Sequence, residues 1–238
     1  GLIAELTFKL RPRPAKEVTV LAERPFDAIL KAAQSVHRAR LFPAGIELLS
    51  AALAHRIGFR IPSAKVLLLN RFAGIQKTVT YQVEKATKEI RSEAENAKIE
   101  IASQDQPLWR NLAAAPLKSD ETLIWRAIVR RSRLGEFIKI VADTYRDSFP
   151  SILWHAGVAD GRMRMIEPLQ APSLDHSPGL THLRNVAESF GGSLVIESAP
   201  DEIKLANGAW GRRGSSNILM KRIKEELDPL GMFSPGRF

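Results

Sequence analysis

The sequence predicts an α+β fold: one antiparallel sheet with helices on one side, built from two successive ferredoxin-like β-α-β-β-α-β units. Three observations carry that expectation. Short apolar or alternating runs of strand length recur between longer stretches whose apolar residues return every three or four positions. Turn-forming residues punctuate the gaps, as at Gly58, Pro62 and Ala159-Asp160-Gly161. The order of strand-type and helix-type segments over residues 16–102 then repeats over residues 122–200, across a linker at 103–121. No residue-level repeat accompanies it, so the similarity is one of pattern.

Residues 16–23, with Glu17-Val-Thr-Val-Leu21, read as a strand, and residues 25–40 as a helix. Phe26, Ile29, Leu30, Ala33 and Val36 share one face of that helix, and Pro25 suits its first turn. Apolar strand-like runs follow at 46–53 and 65–72. Residues 76–96 form a long helix striped by Val79, Val83, Ala86, Ile90 and Ala94, and 98–102 a short alternating strand. The linker at 103–121 holds one short helix.

In the second unit, 122–130 is a strand and 134–145 a helix capped by Ser132. Residues 151–158 and 163–167 are the arms of a hairpin. Residues 180–190 form a helix stopped by Gly191-Gly192, and 193–196 the last strand. Residues 201–238 are a loop, a helix starting near Asn217, and a tail.

A chain of 238 residues can bury a large core, and its charged and apolar fractions are those of a folded protein. No apolar run reaches the roughly 20 residues that span a bilayer. The absence of cysteine removes disulfides, thiolate metal sites and cysteine nucleophiles. The net charge of +9 invites a nucleic-acid reading, but acids interleave the bases, as at Glu84-Lys85, Lys88-Glu89 and Lys224-Glu225. Such runs read as solvated helix faces, and a basic patch could equally face an acidic partner or an anionic membrane surface.

Three places carry candidate chemistry. The loop Asn207-Gly-Ala-Trp-Gly-Arg-Arg-Gly-Ser-Ser216 precedes the last helix. Its glycines allow close backbone approach, and Arg212 and Arg213, beside Trp210, supply charge for a substrate carboxylate or phosphate. A surface loop ending in a serine cap fits the same residues. Arg126, on a strand, can clamp a carboxylate in bidentate fashion or simply face solvent. His155 lies on the hairpin with Arg164 nearby; a lone histidine on a strand is more often structural than a ligand. There is no Gly-x-Ser-x-Gly, His-Glu-x-x-His or Gly-x-Gly-x-x-Gly, so standard hydrolase and dinucleotide-fold readings lack support.

The tail adds a resemblance. A Lys- and Glu-rich helix followed by Leu227-Asp-Pro-Leu-Gly-Met-Phe-Ser-Pro-Gly-Arg-Phe238 is a helix stop and two tight turns. It closely resembles the C-terminus of FAD-linked oxidases of the vanillyl-alcohol oxidase superfamily, most of all the E-subunit branch of the bacterial glycolate oxidases. Leu123-Ile-Trp-Arg126 resembles a Leu-Trp-Arg stretch of that branch. The opening Gly1-Leu-Ile-Ala-Glu-Leu-Thr-Phe resembles the last strand of the superfamily's FAD-binding domain. His155-Ala-Gly-Val-Ala-Asp-Gly161 resembles a degraded His-x-Gly-Asp-Gly-Asn motif, with Arg162 in place of Asn and Arg164 near the place of a second histidine, so no metal is expected.

The resemblance implies a cap or substrate domain of an FAD-dependent 2-hydroxy acid dehydrogenase, which passes hydride from the α-carbon to flavin N5. It implies that residues 1–15 are the remnant of the flavin domain and that 201–238 return towards it. Gly1, Leu2, Ile3, Ser234, Pro235 and Gly236 would touch FAD, which the missing N-terminal domain mostly holds. His155, Arg126 and Arg164 would be catalytic. The implied partners are a small 2-hydroxy acid and the D-type flavoprotein and iron–sulfur subunits of a glycolate oxidase complex. The implied location is cytoplasmic, with peripheral association at the inner membrane face through that complex. The alternatives are a non-catalytic assembly subunit and a basic nucleic-acid-binding module, for which no RNP-like phrase is present.

Overall fold

The computed structural model describes residues 4–9, 12–115, 122–169, 177–211 and 215–233. The first half runs β1 (Lys16–Arg24), α1 (Phe26–Arg38), β2 (Gly45–Ser50), α2 (Ala51–Arg56), β3 (Val66–Gly74), α3 (Gln76–Glu93), β4 (Lys98–Ala102) and α4 (Gln106–Ala114). The second runs β5 (Thr122–Ile128), α5 (Leu134–Thr144), β6 (Leu153–Gly157), β7 (Arg162–Pro168), α6 (Ser177–Ser189), β8 (Ser193–Ser198), α7 (Asp201–Asn207) and α8 (Ser215–Leu227).

The eight strands among the described residues form one sheet in the order β4-β1-β3-β2-β6-β7-β5-β8, and every pairing is antiparallel. Numbered within each half, the order is fourth, first, third, second, then its mirror. The halves meet where β2 pairs β6, with Glu47 opposite Gly157 and Leu49 opposite His155.

Strand alternation divides the core in two. One face turns Val18, Leu68, Trp125 and Met165 into a continuous cluster with α1, α3, α5 and α6, from which Ile29, Ile90, Phe137 and Leu183 descend. The other face buries Leu21, Leu49, Leu67 and Leu69 against Leu53 of α2 and Leu108 and Leu112 of α4. The expected single layer of helices is therefore corrected: two short helices lie on the opposite face. The reason is visible in β3, whose unbroken Val66-Leu-Leu-Leu69 must be dry on both sides.

Three local expectations also change. The apolar run at 46–53 is not one strand, because the Ser50 hydroxyl accepts from Leu53 N at 3.1 Å and caps α2. Ser132 does not cap α5; it lies inside a 3₁₀ turn, Arg131–Arg133, and Arg133 stands at the cap. The loop after β8 contains α7, which follows Pro200. The hairpin turn is as expected: Gly161 has φ +74°, and a Cβ there would lie 2.1 Å from the Val129 carbonyl oxygen.

Candidate functional site

On the face carrying α2 and α4, the apolar contacts reach only Ile124, Leu153 and Ile166 in the second half. Beyond them the same face of β5, β6, β7 and β8 carries Arg126, His155, Arg162, Arg164 and Glu197. Register aligns three of these. His155 on β6 is opposite Arg164 on β7, and Arg164 is opposite Arg126 on β5. With strands about 4.8 Å apart, the row spans about 10 Å of backbone. The structure thus brings together the three residues proposed from the sequence as catalytic, although 38 positions of chain separate Arg126 from Arg164.

Glu197 completes the row and was not anticipated. The pairing of β5 with β8 shifts between Ile124 and Trp125: Ile124 faces Ser198 and Trp125 faces Ile196, leaving Glu197 as the extra residue of a bulge. A bulge re-aims a side chain, and this one sets the carboxylate between two guanidiniums. Arg126 Nε lies 2.9 Å from one oxygen and Arg164 Nε 2.7 Å from the other, while Arg164 Nη2 donates to Glu197 at 3.0 Å. One carboxylate faces two cations, so the group carries a net positive charge. The arginine side chains keep 38% and 29% of their surface, open enough to meet a ligand. Such a pair can hold a carboxylate by charge-assisted hydrogen bonds.

His155 is held differently. Its Nδ1 lies 2.9 Å from Glu47 Oε2, and because a carboxylate only accepts, that nitrogen carries the proton. Arg162 Nη2 donates to the other Glu47 oxygen at 2.5 Å, and its Nη1 lies 3.1 Å from Asp160. Glu47 and His155 are each 8% exposed. Here two carboxylates, Glu47 and Asp160, meet one guanidinium, and the imidazole is fixed rather than free. Glu47, Arg162 and Glu197 were missed in sequence because each lies on a different strand, and only pairing reveals their contacts.

A second polar cluster occupies the same face in the first half. Buried Asp105 accepts from Thr19 Oγ1 at 2.7 Å and from Arg71 Nε and Nη2 at 3.1 and 3.2 Å. Arg71 Nη2 also donates to Glu17 at 2.9 Å, Trp109 Nε1 donates to Thr19 at 2.8 Å, and the Trp109 ring lies beside the guanidinium. These bonds pin α4 to the sheet.

On the helix face, burial pushes the Glu167 carboxyl up to about 7, and the Tyr145 hydroxyl hydrogen-bonded to it only partly offsets this. Burial also raises Tyr145 itself, with the Glu167 charge adding to the rise.

The remaining candidates lie elsewhere. Trp210 is half exposed in a segment laid along β8, where Ile196 N donates to the Ala209 carbonyl at 2.8 Å. Arg184 fastens that segment by donating to the carbonyls of Asn207 and Gly208 at 2.6 and 2.9 Å, so it is anchored at its start. Arg212 and Arg213 lie outside the described residues, as do Gly1, Leu2, Ile3, Ser234, Pro235 and Gly236. Just before the latter, Asp228 ties the turn: Met232 N and Phe233 N donate to it at 2.9 Å, and Lys224 pairs with it. Lys224 first, then the Phe233 and Met232 amides, hold its carboxyl down at about 2.

No family model matches the sequence, and no curated protein matches it. Solved structures do match. The chain superposes on p-cresol methylhydroxylase with substrate bound at a TM-score of 0.62 and 15% identity, over 97% of this chain and 54% of that one. It superposes on 4-ethylphenol oxidase from Gulosibacter chungangensis, in complex with isoeugenol, at 0.55 and 14%, over 96% and 55%. The alkyldihydroxyacetonephosphate synthase structure matches at 0.55 and 12%, over 91% and 44%. These neighbours are FAD-linked oxidases of the superfamily that the tail resembles, and the chain shares the fold of one part of them. The chain spans about half the length of each.

Proposed function

We propose that the chain is the cap, or substrate domain, of an FAD-dependent dehydrogenase or oxidase acting on a small 2-hydroxy acid such as glycolate or D-lactate. The observation that carries the reading is the row His155–Arg164–Arg126 with Glu197 at its end, one carboxylate against two guanidiniums. The tail and the Leu123–Arg126 stretch support the E-subunit branch of glycolate oxidases in particular, and the strand order supports reading each half as a ferredoxin-like unit.

The face offers anion-binding donors, Arg126 and Arg164, beside the half-buried Val195. FAD, held mainly by a further domain and touched by Gly1–Ile3 and Ser234–Gly236, would supply the hydride acceptor. The work of this chain is positional. Arg126 and Arg164 hold the substrate carboxylate, the anion displacing part of the Glu197 contact. His155, its Nδ1 proton committed to Glu47, presents Nε2 as the remaining acceptor in the row, suited to take the hydroxyl proton. The same domain would assemble with D-type flavoprotein and iron–sulfur subunits, in the cytoplasm or at the inner membrane face.

A second reading, a non-catalytic assembly subunit, draws on the burial of His155 against Glu47. One experiment separates the two. The natively expressed protein is examined by visible absorption before and after anaerobic addition of glycolate or D-lactate. A flavin band that bleaches supports the substrate domain. One that stays oxidised with both acids favours the assembly subunit, and a colourless protein removes the support for a flavoenzyme and leaves the assembly and binding readings in front.

A further inference from the structure

Four basic residues that the row leaves unused gather at one end of the sheet. Register places the start of β1 beside the end of β3 (Lys16 opposite Gly74), and the start of β2 beside the same strand (Gly45 opposite Arg71). The hairpin between β6 and β7 and the end of β5 share that end, with Arg162 opposite both Gly157 and Ile128. The helix ends and turns there present Arg38, Arg40, Lys77 and Arg131, all exposed. None of the four has a carboxylate partner among the described residues. Three carboxylates from the neighbouring strands, turns and helices are engaged: Glu17 with Arg71, Glu136 with Arg133 and Asp160 with Arg162. Arg131 Nη1 lies 3.1 Å from His37 Nε2, which ties the turn after β5 to the end of α1.

Two apolar side chains project at the same end. Phe42 is 83% exposed and Ile75 67%. The turn that carries Phe42 is built to expose it. Leu41 is buried, and its carbonyl accepts from Gln82 Nε2 at 2.7 Å, while its neighbours Arg40 and Phe42 take left-handed backbone, φ +53° and +49°. A β-carbon resists that conformation, so folding would discard this arrangement unless the buried Leu41 enforced it. One leucine plugged inward thus throws a cation and an aromatic ring outward together.

We propose that this end of the sheet docks on an anionic lipid surface, with Phe42 and Ile75 entering the headgroup region and Arg38, Arg40, Lys77 and Arg131 meeting the phosphates. Turns at one end of a sheet define a roughly flat face, which suits a planar partner. Separate apolar tips among cations suit an interface of lipid headgroups better than a protein partner, whose contact would need a contiguous apolar centre. The inference does not depend on the flavin reading.

The test is co-sedimentation of the natively expressed protein with vesicles of phosphatidylcholine alone or with a third phosphatidylserine, at low and high salt. Binding is expected only to the anionic vesicles and to fall steeply with salt. Arg38→Gln/Arg40→Gln should weaken it about 30-fold, from about fivefold per cation. Phe42→Asn should weaken it about tenfold while leaving melting temperature unchanged or higher, because Asn accepts left-handed backbone and its loss is then not a loss of fold. Soluble poly-glutamate and RNA provide the control. If Phe42→Asn weakens binding to either as much as to vesicles, or leaves vesicle binding intact, the lipid proposal is overturned. No binding, or equal binding to neutral vesicles, overturns it too.

Discussion

Arg71 and Arg164 lie on the same face of one sheet, and each is paired with carboxylate, but the pairing runs in opposite proportions. In the first half one guanidinium meets two carboxylates, Asp105 and Glu17, and α4 closes over them with the Trp109 ring against Arg71. In the second half one carboxylate, Glu197, meets two guanidiniums, and no described helix lies over them. The first cluster is saturated and serves as an attachment for α4. The second has charge to spare and room beside it. The difference teaches that an arginine–carboxylate pair on a sheet is not itself a site; its stoichiometry and cover decide.

Breaking the sealed cluster should have the largest effect on stability. Asp105→Ala leaves Thr19 and Arg71 without their shared acceptor and should cost about 3 kcal/mol in urea unfolding, with the proposed flavin chemistry unaffected per folded molecule. A cost below 1 kcal/mol would show that α4 holds by its leucines alone.

Breaking the open cluster should do the reverse. Arg164→Met should change stability by less than about 1 kcal/mol, since the pair is part-exposed. On the proposed function it should lower kcat/KM for anaerobic flavin reduction by a 2-hydroxy acid about 100-fold, the value of a charged hydrogen bond. Stability lost with turnover kept would assign Arg164 to the scaffold.

Glu167 sharpens the comparison as a part-buried carboxylate whose charge is disfavoured by burial. Its folded carboxyl titrates near 7 against an ordinary 4.5, because burial disfavours the charge. The folded state therefore holds a proton that the unfolded state releases between those values, so the contribution is full below 4.5 and is lost as pH rises through 7. Glu167→Gln should be more stable than the parent by about 2 kcal/mol at pH 8, with the advantage shrinking to little near pH 4. A gap that does not vary with pH would contradict this.

The smallest expected effect comes from the sealed side. Trp109→Phe keeps the ring beside Arg71 but removes the hydrogen bond to Thr19, for a loss of about 1 kcal/mol. A loss near that of Asp105→Ala would mean that the tryptophan, not the aspartate, closes the cluster.

Much of the fold was legible because its signals are local. The stripe of Val79, Ala86 and Ile90 marks α3, and alternation marks Lys98–Ala102 with both bounds correct. Ser50 was misread because a strand residue and a helix cap are the same residue here, and an apolar run hides the change of period. In the candidate site, His155, Arg126 and Arg164 were chosen one by one, from motif and residue type. Glu197 was not, because its place depends on a bulge in the pairing of two strands.

By itself, then, the sequence determined the elements other than α2 and α7, their order, the exclusion of thiol chemistry and the surplus of positive charge, since each follows from composition or from neighbours within a turn or two. Tertiary structure alone decided which strands pair, that helices cover both faces, that α4 seals Asp105, and that Glu197 stands between Arg126 and Arg164. These depend on contacts between residues far apart in the chain, where a register shift of one residue would turn every side chain of a strand to the opposite face.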